Sequence, residues 1–95
     1  MALAGTPVVP LAGILSEVKR ILVEVGSLAV DPESIPNSAR IFESGLGLNS
    51  LQGIELLVRI EDCFGVLINN LDWSVHEAQT VEDLGRYVAG LGART

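Results

Sequence analysis

From position 11 to position 25 the chain sets an apolar side chain at every third or fourth residue: Leu11, Ile14, Leu15, Val18, Ile21, Leu22 and Val25. This recurrence matches the turn of an α-helix and gathers all seven on one stripe, so a helix is predicted over residues 10–25. Pro10 suits its first turn, where no backbone donor is needed, and Gly26 reads as its terminator. The pattern returns twice. Residues 50–64 read as a second helix, with Gly65 as its stop. Thr80 opens a last helix, with Asp83 three residues on as a capping-box partner and Val81, Leu84, Val88 and Leu91 as its buried stripe. No stretch alternates in the manner of a strand. The irregular segment between Gly65 and Gln79 holds at most a short helix around residues 73–77. The expected fold class is all-α: a small bundle of three main helices plus one short helix, with a long loop between the first two.

A chain of 95 residues suits one domain. Residues 1–9 are expected to form a loose tail, 10–91 the domain and 92–95 a short C-terminal tail. Aromatic residues make up only 4% of the chain, so the core must be aliphatic. The formal net charge of −6 repels phosphate backbones and anionic bilayers, which argues against nucleic acid and membrane partners and favours a basic patch on another protein. A single cysteine, Cys63, excludes an internal disulfide, and the absence of any Cys/His cluster leaves no metal site. A cytoplasmic location fits this cysteine usage. The apolar N-terminus lacks a basic leader and is interrupted by Pro7 and Pro10, so it does not read as a signal peptide. No apolar run approaches the ~18 residues of a membrane span.

Residues 26–48 contain two prolines, three glycines and no sustained period. A connection of roughly 20 residues is long for a compact domain, and such loops are often functional as well as structural. Leu28, Val30, Ile35, Ile41, Phe42 and Leu46 are expected to pin it to the core.

The second helix carries more apolar surface than one core can use. At about 100° per residue, Gly53, Leu56, Leu57, Ile60 and Phe64 gather on a core face, and Gln52, Glu55, Arg59 and Asp62 gather roughly opposite. Between them runs a second apolar stripe of Leu51, Ile54 and Val58, flanked by Glu55, Glu61 and Asp62. Leu51 and Val58 sit about 150° from the centre of the core face. The stripe reads either as a docking surface or as a surface that the long loop covers.

At the head of this stripe stands Ser50. Asn49 is a good N-cap, so Ser50 becomes the first helical residue, near the positive end of the helix dipole, where a phosphate is well placed. Serine is also a common structural residue at helix starts, and the residues alone leave both readings open. A nucleophilic role is disfavoured: the surrounding stretch is not G-x-S-x-G, and the sole histidine, His76, lies in an irregular segment. No phosphate-binding glycine loop with its lysine is present. A helix-turn-helix DNA binder, a small serine hydrolase and an unmodified helical interaction module are the competing classes.

The run Leu46-Gly47-Leu48-Asn49-Ser50-Leu51, followed by Ile54-Glu55-Leu56, resembles the L-G-x-D-S-L signature of the acyl carrier proteins and peptidyl carrier domains. The likeness extends through "VRIEDCFGVLI" and resumes at "TVEDLGRYV", covering roughly residues 11–90. It implies that Ser50 carries phosphopantetheine, donated from coenzyme A by a phosphopantetheinyl transferase, and that the arm's thiol holds acyl or aminoacyl groups as thioesters. The protein would then be a carrier and not an enzyme, with Ser50 as attachment point. Leu51, Ile54, Glu55, Val58, Glu61 and Asp62 match the family's recognition helix, which meets apolar pockets and basic residues on partners. Those partners would be a loading enzyme and a ketosynthase, acyltransferase or condensation-type enzyme, visited by a monomer. Asn49 departs from the family's usual aspartate: it caps as well but lacks the charge, a change worth about 1 kcal/mol in partner choice. Arg59 in the acidic face, and "INNLDW" in place of a more acidic stretch, lean toward a discrete carrier of polyketide or nonribosomal peptide synthesis over one of fatty-acid synthesis. Trp73 is expected to pack at the edge of the core or to line a cargo cavity, and Cys63 to fill space near the end of the second helix.

Overall fold

A computed structural model describes residues 10–42, 45–68 and 80–92. These form three helices and one 3-10 turn: α1 (Leu11–Gly26), the turn at Pro32–Ser34, α2 (Ser50–Phe64) and α3 (Val81–Gly90). No strand occurs among the described residues, and the all-α reading holds. The short helix expected around residues 73–77 lies outside them, as do Trp73 and His76.

α1 packs against α2, α3 and the 3-10 turn. Its buried residues are Ile14, Leu15, Val18, Ile21, Leu22 and Val25, six of the seven in the predicted stripe; Leu11 is half-buried at the edge. The core is aliphatic apart from Phe64, its largest fully buried side chain. Among the described residues no polar or charged side chain is buried in it, so none of them carries a desolvation cost there.

Three local expectations change. Gly26 remains helical, and Ser27 takes the left-handed position at φ 51, because the Leu28 amide reaches back to the Val23 carbonyl at 3.0 Å and carries the helix one residue further. Leu91 is 39% exposed. Its amide closes onto the Val88 carbonyl at 3.0 Å in a tighter turn, and the side chain leaves the stripe, in which Gly85 is buried instead. Val30 is exposed and anchors nothing. Ile35 and Ile41 are buried as expected, Leu28, Phe42 and Leu46 pack partly against the core, and Leu48 supplies a further buried anchor.

The long loop is stitched to the helices it joins. Asp31 accepts the Glu33 amide at 2.9 Å and Pro32 starts the 3-10 turn, the position where a missing N–H costs nothing. At α3, the Val81 and Glu82 amides donate to the Ala39 and Asn37 carbonyls at 3.0 and 2.9 Å. First-turn amides have no partner within their own helix, so the loop satisfies them. Thr80 and Asp83 complete the predicted capping box.

Candidate functional site

The approach to α2 is a tight turn. The Leu46 amide donates to the Arg40 carbonyl at 2.7 Å and the Leu48 amide to the Ile41 carbonyl at 3.1 Å. Gly47 bends the chain at φ 81, in the left-handed region that side chains rarely enter. Leu48 then enters the core and Asn49 turns out to cap the helix.

The cap is reciprocal. Asn49 Oδ1 accepts the Gln52 amide at 2.8 Å, and Gln52 Oε1 accepts the Asn49 amide at 2.9 Å. The residue type alone marks Asn49 as a cap; the Gln52 half goes beyond that reading, although a Gln three residues past a capping residue is the signature of this arrangement. Asn49→Ala is expected to lower stability by about 1 kcal/mol, which in a domain of this size moves the thermal midpoint down by about 4–8 °C. Asn49→Asp should leave the midpoint in place, and thermal circular dichroism separates the two.

Ser50 is exposed at the first position of α2. The Gln52 amide is taken by Asn49, and the Gly53 amide donates to the Asn49 carbonyl at 2.9 Å. The amides of Ser50 and Leu51 have no helical partner, and they lie at the positive end of the dipole. An anion esterified to the Ser50 hydroxyl would meet both. The loop is held against this end of the helix through Phe42: a Cβ at Gly53 would stand 3.0 Å from the Phe42 ring. Glycine at 53 therefore permits the ring to lie on α2, one turn below Ser50.

The wheel divides α2 as expected. Gly53, Leu56, Leu57, Ile60 and Phe64 are buried, while Leu51, Ile54 and Val58 are 76%, 54% and 50% exposed. The described part of the loop does not cover the stripe.

Its charged border is less uniform than the sequence suggests. Glu55 pairs with Arg59 at 3.3 Å, and Arg59 also reaches across to Glu24 of α1 at 2.9 Å. Arg20 bridges Glu17 and Glu24 on α1. Glu61 accepts the Ile68 amide at 2.8 Å and so holds the chain where it leaves α2. Asp62 is exposed and makes no ion pair with a described residue. Neither the Glu24–Arg59 contact nor the Glu61–Ile68 contact follows from helical spacing; both need the tertiary arrangement.

Between α1 and α2 lies an open groove of ≈ 570 Å³, lined by Arg20, Ile21, Glu24, Glu55, Val58, Arg59, Asp62 and Cys63. Cys63 packs partly against the core, and its Sγ lies 3.9 Å from Glu17. Burial, reinforced by the Glu17 charge, pushes its thiol pKa up, which weakens it as a nucleophile. No group of His, Cys, Asp and Glu among the described residues could hold a metal ion, and none of their helices is long and apolar enough to cross a membrane.

A family model described as "Phosphopantetheine attachment site" matches residues 16–88. The chain is also similar to an "Acyl carrier protein" of Phytoplasma australiense, 35% identical over 75 residues, which is 79% of this chain and 92% of that protein.

Proposed function

The chain belongs to the phosphopantetheine-attachment family of acyl carrier proteins, and from that premise we propose that Ser50 is the residue that bears the arm. Phosphopantetheine is the cofactor of this family, and a phosphopantetheinyl transferase and acyl-handling enzymes are its general partners. The observation that carries the assignment is the exposed Ser50 hydroxyl at the N-terminus of a capped helix, with two first-turn amides that have no partner within the helix.

In the transferase complex, Ser50 Oγ attacks the phosphorus of coenzyme A that bears pantetheine. The new O–P bond forms as the phosphoanhydride breaks, the hydroxyl proton passes to a base of the transferase, and adenosine 3′,5′-bisphosphate leaves. The Ser50 and Leu51 amides would be the groups of this chain available to a phosphodiester there. When bound, the arm supplies a thiol that holds the cargo as a thioester. The chain itself contributes attachment, a rigid base and a landing surface, and no catalytic group.

The landing surface is Leu51, Ile54 and Val58, bordered by Glu55, Glu61 and Asp62. Its partner has an apolar depression with basic residues around it, the complement of a chain with net charge −6. The similarity to an acyl carrier protein supports an acyl cargo. The interrupted acidic face at Arg59 supports a specialised pathway, polyketide or nonribosomal, in which the carrier meets ketosynthase, acyltransferase or condensation-type enzymes in the cytoplasm.

Incubation with coenzyme A and a transferase, followed by intact-mass measurement, tests the assignment. A gain of one phosphopantetheine is expected, and an unchanged mass counts against it. Leu51→Ala should lower kcat/KM for the transfer by about five- to tenfold, the size of a loss just over 1 kcal/mol at a docking anchor. The thermal midpoint should hold, because Leu51 is 76% exposed.

A further inference from the structure

The three carboxylates bordering the apolar stripe differ in what they have left to offer. Glu55 is engaged by Arg59 at 3.3 Å, and Glu61 accepts the Ile68 amide at 2.8 Å. Asp62 alone has no partner among the described residues. The other guanidinium nitrogen of Arg59 meets Glu24 of α1 at 2.9 Å, which places the cation beside the stripe. Glu24 is in turn bridged by Arg20, and Arg20 by Glu17. The result is a ladder of alternating charge along the α1–α2 groove, ending at Glu55.

We propose that Arg59 is a specificity-determining residue. By occupying Glu55 it removes one anion from the face that a partner enzyme meets and places a cation there. This carrier then engages partners mainly through Leu51, Ile54, Val58 and Asp62, and discriminates against partners that present a basic residue opposite Glu55. A basic partner must break the Glu55–Arg59 pair and tolerate the guanidinium before it gains Glu55. Such a partner-facing ion pair is exposed, so the effect is modest and sensitive to salt. The inference rests on the reading of Ser50 and α2 given above and adds to it a reason for choice among partners.

The test is the kinetics of arm transfer from coenzyme A by a transferase whose carrier-binding surface is basic, at low and at high salt, with intact mass as the readout. Arg59→Gln frees Glu55 and is expected to raise kcat/KM about two- to fivefold at low salt, the equivalent of one rim ion pair. The gain should enter through KM and vanish at high salt. Arg59→Lys keeps the cation and should behave as the unmodified sequence does. The double variant Arg59→Gln/Glu55→Gln should return to the starting value, because the anion that was released is gone. A purely structural role for Arg59 would move the thermal midpoint and leave this salt-dependent KM effect absent. No gain at low salt, a gain that persists at high salt, or a gain retained in the double variant overturns the inference while leaving Ser50 in place. A protein that takes up no arm from the transferase under any condition overturns both readings together.

Discussion

Ser50→Ala takes up no phosphopantetheine: with a transferase and excess coenzyme A its intact mass stays at that of the unmodified chain, while the parent protein gains one arm. The effect is all-or-none because the substitution removes the oxygen through which the ester forms. The chain has other serines, among them Ser16, Ser27, Ser34 and Ser38, and these are the internal controls. Ser34 donates its hydroxyl to the Asp31 carbonyl at 2.6 Å, and none of the four stands at the head of the apolar stripe. Residual modification of Ser50→Ala would move the attachment point elsewhere and undo the site as described. The fold is not at stake, since Ser50 is exposed and the cap belongs to Asn49 and Gln52. The variant should therefore match the parent in thermal midpoint and in helical circular dichroism, which separates loss of the hydroxyl from loss of structure.

The largest effect on stability is expected at Phe64. It is the largest fully buried side chain among the described residues. Phe64→Ala leaves a cavity that the surrounding aliphatic side chains close only in part, at a cost of about 3–5 kcal/mol. A domain of this size has a total stability of about 5–15 kcal/mol, and small domains lie toward the lower end. Urea unfolding should show a midpoint reduced by a third or more at an unchanged slope, or a chain already partly unfolded in buffer. Val30→Ala is the control: an exposed valine in the loop should change stability by no more than about 0.5 kcal/mol. A small effect at Phe64 would mean that the core repacks freely around the last turn of α2.

The carboxylates along α2 are not equivalent to a visiting enzyme. A count of carboxylates along α2 gives Glu55, Glu61 and Asp62 equal weight. The contacts do not, because two of the three already have partners within the chain. The charge that a visiting enzyme meets is what remains after the protein has paired its own groups.

The helices were legible because their cause is local. Apolar residues at helical spacing specify α1, α2 and α3 almost to the residue, and Asn49 and Thr80 mark two of their starts. The exposed stripe was legible for the same reason: a helix can turn only one face to a core, so Leu51 and Val58 had to face away once Leu56, Ile60 and Phe64 faced in. The path of residues 26–48 was not. A loop without a period gives no rule for which apolar residue turns inward, and Leu48 is buried while Val30 stays exposed only once the loop has folded onto the helices. Likewise, the Glu24–Arg59 bridge joins groups 35 positions apart, and such a pair exists only after α1 and α2 have packed. Periodicity decides which way a side chain faces, and packing decides what it meets there.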